Sequence, residues 1–66
     1  MNISTRRIKV LMGANLLTQK GLAEAAGVSR MTVNSALLKG SCSTKTAGKI
    51  AKALNVPPVE IIDNED

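Results

Sequence analysis

Arg30, Met31, Thr32, Asn34 and Ser35 fall within six consecutive positions and offer most of the contacts that a base edge can accept. A guanidinium donates two parallel hydrogen bonds to guanine N7 and O6, and a carboxamide pairs with adenine N6 and N7. The methyl groups of Met31 and Thr32 suit a thymine methyl, and Thr32 adds a hydroxyl. Ser35 is small enough to permit close approach and to bond a phosphate. Plainer readings stand beside these. Arg30 holds a phosphate instead, Met31 packs into the neighbouring turn, and Asn34 only faces solvent. Covalent chemistry is poorly provided for. The chain has no His and one Cys, which leaves no imidazole acid or base, no Cys–His nucleophile pair and no zinc finger. It has no Phe, Tyr or Trp, so modules that stack bases on rings are excluded too. Neither an enzyme nor a cofactor is expected.

Such a set needs a rigid outer face to stand on, and the flanking residues predict one. Residues 19–26 and 30–38 read as two short helices joined by a tight turn at Ala26-Gly27-Val28-Ser29. Gly27 can adopt the left-handed backbone that ends a helix. Val28 is the apolar residue before the next start, and Ser29 is a good N-cap. Leu22, Ala23, Ala26, Val28, Val33 and Leu37 are spaced to meet in one core. With Val33 inward, Ala36 and Leu37 also point inward. Met31, Asn34, Ser35 and Leu38 point away, with Thr32 at the flank. Leu38 is expected to tuck under the following loop. This is the sequence form of a helix-turn-helix, whose second helix enters the DNA major groove. Thr18, Gln19 and Lys20 begin the first of the two helices, where free backbone N–H groups suit a phosphate. Lys39, Ser41, Ser43 and Lys45 lie where the backbone of the same half-site would pass. Arg6, Arg7, Lys49 and Lys52 are read as solvated rather than bound.

The rest of the chain supplies support. Residues 5–14 predict a helix capped by Ser4 or Thr5, with Ile8, Leu11 and Met12 inward. Gly13 and Asn15 weaken its end, Asn15 tolerates a left-handed turn, and Leu16 and Leu17 are apolar plugs in the connection. Residues 45–54 predict a fourth helix, capped by Ser43 or Thr44, with Ala47, Ile50, Ala51 and Leu54 inward. Pro57-Pro58 starts a short last helix. Val56, Pro57, Val59, Ile61 and Ile62 are too many apolar residues for one side of it. They either pair two copies of the chain or close the monomer core. All nine Lys and Arg precede residue 60, against the single acid Glu24, while four acids lie at Glu60 and beyond. A body of one sign favours a polyanion through counterion release. A lone Cys42 reads as a small buried hydrophobe and fits a reducing cytoplasm. No secretory signal and no membrane-length apolar run is visible.

At this point the residues resemble a family. Leu17-Thr18-Gln19-Lys20-x-Leu22-Ala23-Glu24-x-Ala26-Gly27-Val28-Ser29-Arg30-x-Thr32-Val33 is similar to the helix-turn-helix of the Cro and phage-repressor family, often called XRE-type. Lys45 to Pro57, followed by Val59-Glu60-Ile61-Ile62, resembles that family's fourth helix and the start of its fifth. The resemblance covers residues 6–62. It implies a compact, all-α, five-helix lambda-repressor-like domain over residues 1–62, with the helix-turn-helix at 18–38. The short acidic tail at 63–66 is read from its own residues as frayed. The resemblance also implies a homodimer on a palindromic double-stranded operator. Gln19 would touch a phosphate and brace the third helix. Arg30, Met31, Thr32 and Ser35 would face base edges or the nearby backbone. The small size suggests a Cro-like repressor of phage or mobile-element origin. A protein-interaction module, antitoxin-like or anti-repressor, is the alternative. Three positions depart from the pattern. Met12 stands where an Arg is common, Gly21 where a charge is usual, and Leu16 where Gly often precedes the Leu-Thr-Gln run.

Overall fold

Ser4, Thr18, Ser29 and Ser43 each stand one residue before a helix. Each side-chain oxygen accepts a hydrogen bond from the backbone N–H three residues on. These caps start α1 (Thr5–Ala14), α2 (Gln19–Ala26), α3 (Arg30–Lys39) and α4 (Thr44–Ala53) in the computed structural model, which describes residues 1–63. An apolar residue precedes each cap, and another is the fourth residue of each helix: Ile3 and Ile8, Leu17 and Leu22, Val28 and Val33, Cys42 and Ala47. This staple spacing fixes the angle at which the chain enters a helix. The second member of every pair is buried. Of the first members, Ile3 is buried, and Leu17, Val28 and Cys42 pack half-buried against the core.

The helix ends are equally regular. A left-handed residue follows every helix: Leu16 (φ 55°), Gly27 (φ 73°), Gly40 (φ 68°) and Asn55 (φ 62°). After α2, the Val28 N–H donates to the Ala23 carbonyl at 3.0 Å and Gly27 N–H to Glu24 at 3.2 Å. The same crossed pair recurs after α1, Leu17 to Met12 and Leu16 to Gly13. It recurs after α4, Val56 to Ala51 and Asn55 to Lys52. Carbonyls that a helix end would leave unpaired are thereby satisfied. α3 closes with one such bond, Gly40 N–H to the Ala36 carbonyl at 2.9 Å.

One expectation for the α1–α2 connection is corrected, that of Leu16 as a plug. Asn15 tolerates left-handed backbone but does not adopt it (φ −98°). Its Nδ2 donates to the Leu11 carbonyl at 2.8 Å and to the Leu54 carbonyl at 3.3 Å, joining the ends of α1 and α4. The left-handed residue is Leu16, and it is no plug: its side chain is 92% exposed. A left-handed turn throws that side chain outward, so only Leu17 packs inward. Gly21 sits close to the end of the Leu17 side chain. A Cβ there would lie 3.3 Å from Leu17 Cδ2.

The expected fifth helix is a single 3-10 turn, Pro58–Glu60, so the described fold has four α-helices and not five. The next carbonyl, that of Ile61, accepts from the Ser4 N–H at 2.7 Å and ties the turn to the start of α1. Residues 1–3, to which the sequence assigns no element, and the Ser4 cap run between two segments. Ile3 N–H donates to the Gly40 carbonyl at 2.9 Å, and Cys42 N–H to Met1 at 3.0 Å. On the other side, Asp63 N–H donates to Asn2 at 3.1 Å. Isolated antiparallel bridges, Asn2 with Ser41 and Ile3 with Ile62, are the only β structure among the described residues. The Thr5 hydroxyl donates to the Leu37 carbonyl at 3.0 Å and fastens α1 to the end of α3. The expected tail at 63–66 lies, beyond Asp63, outside the described residues.

α2 packs on both α3 and α4, and α4 packs on the 3-10 turn. Ile8, Leu22, Val33, Ile50, Leu54 and Ile61 are the largest fully buried side chains. Ala23, Ala36, Ala47 and Ala51 are buried between them and let short helices approach. Ile61 was expected as a candidate for pairing two copies. Its 0% exposure places it in the monomer core.

Leu16→Gly removes the cost of a side chain in left-handed backbone and loses no packing. Net of the greater entropy of an unfolded Gly, it should raise stability by about 0.5–1 kcal/mol. Thermal melting followed by circular dichroism should show a midpoint about 2–8 °C higher. Ile61→Ala should act the other way, lowering stability by about 2–5 kcal/mol. A neutral result for Ile61→Ala would deny that residue its place in the core.

Candidate nucleic-acid interface

α3 is gripped from one side only. Val33, Ala36 and Leu37 are buried. Arg30, Met31, Asn34, Leu38 and Lys39 are exposed, with Thr32 and Ser35 half-buried at the flank. Gly27 decides this orientation. Its left-handed turn lets Val28 fold back on α2 and delivers Ser29 as the cap of α3. The open side is a ridge between two shallow grooves. Toward α2 the groove is lined by Gln19, Arg30, Met31 and Asn34. Toward α4 the lining includes Ser35, Lys39, Ser41, Ser43 and Thr46, and Met31 reaches this side as well. No acid lines either groove. A surface of amide, guanidinium, ammonium and hydroxyl donors is thus presented without a competing carboxylate.

The structure therefore brings Gln19, Arg30, Met31 and Asn34 together, and separately Ser35, Lys39, Ser41 and Ser43. Thr18, Lys20 and Lys45 are exposed but line neither groove. Leu38 does not tuck under the following loop and is 78% exposed. The loop turns away at Gly40 because Gly40 and Cys42 are hydrogen-bonded to Ile3 and Met1.

Capping limits what several hydroxyls can do. Thr32 Oγ1 lies 2.8 Å from Ser29 Oγ, the cap of its own helix; either oxygen can donate, and the Thr32 methyl is free in both cases. Ser43 Oγ accepts from Thr46 N–H at 3.1 Å and donates to Thr46 Oγ1 at 3.0 Å. Its proton is used, while the Thr46 hydroxyl proton is left to donate into the groove. Thr46 was missed by sequence reasoning. Its place three residues after a Ser cap is the signal that would have found it. Thr18 Oγ1 only accepts, from Gly21 N–H at 3.1 Å, and keeps its proton.

Cys42 is half-buried in the wall of the α4-side groove. Burial pushes its thiol up, against a smaller lowering by the Met1 ammonium, so it stays neutral near pH 7. Arg7 Nη1 donates to the Glu60 carbonyl at 3.3 Å, a tie between α1 and the 3-10 turn. Met12, where an Arg was the alternative, is buried. Among the C-terminal apolar residues, Val59 is 58% exposed, Pro57 is exposed, and Val56 and Ile62 are half-buried. Among the described residues no three His, Cys, Asp or Glu side chains gather as metal ligands. None of their helices is long and apolar enough to cross a membrane.

No curated protein and no solved structure matches the chain. A protein-family model described as Helix-turn-helix matches residues 8–61. The match runs from Ile8 in α1 to the buried Ile61, across α2, the Gly27 turn and α3. With its second helix held by one side and open on the other, the chain belongs to the helix-turn-helix DNA-binding family of the Cro and phage-repressor type.

Proposed function

We propose that this chain is a small Cro-like transcriptional repressor that binds a palindromic operator as a homodimer, with α3 in the major groove. The open, acid-free side of α3 carries this reading. Its width of one helix and its flanking donors match a groove bounded by two phosphate backbones. Arg30 reads guanine through N7 and O6, and Asn34 reads adenine. Met31 and the Thr32 methyl meet thymine, and Ser35 permits close approach. Gln19 stands beside Arg30 and meets the backbone on the α2 side, helped by Thr18 and Lys20. On the α4 side Lys39, Ser41 and Lys45 do the same, with Thr46 replacing the donor that Ser43 gives up to its cap. A phage or other mobile element is the proposed origin, and the cytoplasm of a prokaryotic host the proposed setting.

One module this small covers little DNA, so affinity comes from two copies on half-sites about 10 bp apart. Val59, Pro57, Val56 and Ile62 form the proposed pairing surface. Ile61 no longer belongs to it.

Arg30→Ala should relax preference at one base pair, a loss of about 1–3 kcal/mol of discrimination there. Lys45→Ala should weaken specific and random duplexes alike and reduce the slope of log affinity against log salt by about 0.9. Both are read by fluorescence anisotropy on the two duplexes across a salt series. If both variants weaken both duplexes equally, this division of roles is wrong. Val59→Asp should shift the protein toward monomer in sedimentation without loss of helix content. An unchanged mass would move the interface elsewhere.

A further inference from the structure

Leu38 has no part in the proposed operator contacts, and its surroundings point to one. Of the exposed large apolar residues, only Met31 and Leu38 lie on α3, at 76% and 78% exposure. They are seven residues apart. At about 100° per residue they fall within about 20° of each other, and about 10 Å apart along the helix. The polar Asn34 and Ser35 occupy the turn between them. The outer stripe of α3 thus reads apolar, polar, apolar. Base pairs in duplex DNA rise about 3.4 Å each, so this separation spans about three of them.

We propose that α3 reads pyrimidine C5-methyl groups at two positions about three base pairs apart, one through Met31 and one through Leu38. This inference rests on the DNA-binding reading and narrows its ligand to a half-site with methyls at that spacing. The major-groove edge offers one apolar group, the C5-methyl of thymine. 5-Methylcytosine carries the same group. Leu38 has neither donor nor acceptor. Pressed against a bare N or O it strips water and returns no hydrogen bond, so it selects by exclusion as well as by contact. Asn34 between the two fits the scheme, since the adenine that a carboxamide reads is paired with thymine.

Selection from random duplex DNA identifies the half-site. Each thymine in it is then replaced singly by uracil, which removes only the methyl. Binding is measured for the wild type, Leu38→Ala and Met31→Ala. Both side chains are exposed, and circular dichroism checks that each variant folds. For the wild type, two positions about three base pairs apart should each lose about fourfold in affinity. That corresponds to about 0.8 kcal/mol per buried methyl at about 1.4 kcal/mol per tenfold. Leu38→Ala should abolish the uracil effect at one of them only, and Met31→Ala at the other. Cytosine placed at either position and then methylated at C5 separates the sources. Recovery admits methylated cytosine as a ligand, and no recovery restricts it to thymine. Uracil substitution that is neutral throughout, or equally costly in wild type and Leu38→Ala, overturns the proposal and leaves DNA binding intact. Failure to bind any duplex in dilute salt ends both.

Discussion

Every helix in this chain is too short to persist alone, and the way its ends are closed is the constraint on which the rest depends. Helices of 8–10 residues are marginal in water without tertiary support. With no aromatic ring to bury, that support comes from aliphatic side chains and alanines. Position therefore matters more than bulk. A Ser or Thr cap, an apolar pair five residues apart and a left-handed residue after the last turn fix where each helix starts, how it enters and where it stops. The alanine-lined contacts between helices are available only because these boundaries hold.

The same devices shape the interface. The caps of α2, α3 and α4 lie on or beside the surface assigned to DNA, so hydroxyls there serve two demands. Thr18 accepts from its helix and keeps a proton to give. Ser43 gives its proton to Thr46, which passes the donor role onward. A hydroxyl's value to a phosphate thus depends on whether its own helix has used its proton, its lone pair or both. Residue type alone does not distinguish Ser43 from Thr46.

Residues 1–4 hold the two working ends of the molecule to one another. One edge bonds the loop between α3 and α4, and the other bonds the segment after the 3-10 turn. Those bonds hold the loop away from Leu38 and tie the Ile61 carbonyl to the start of α1. Ile3 carried the one local sign of these bonds, as the apolar residue before the Ser4 cap.

The caps, the turn at Gly27 and the 3.6-residue periodicity could be read from order and spacing because each acts over about five residues or fewer. On that basis the sequence determined four helices, the inward stripe of α3 through Val33, Ala36 and Leu37, and the outward set that begins with Arg30. Whether Leu38 is covered, Ile61 is free, or Leu16 rather than Asn15 takes the left-handed turn was decided by the tertiary structure. Each depends on a segment distant in sequence: residues 1–4 for Leu38 and Ile61, and the end of α4 for Asn15. Local spacing says which way a side chain leaves its helix, and only the packed chain says what meets it there.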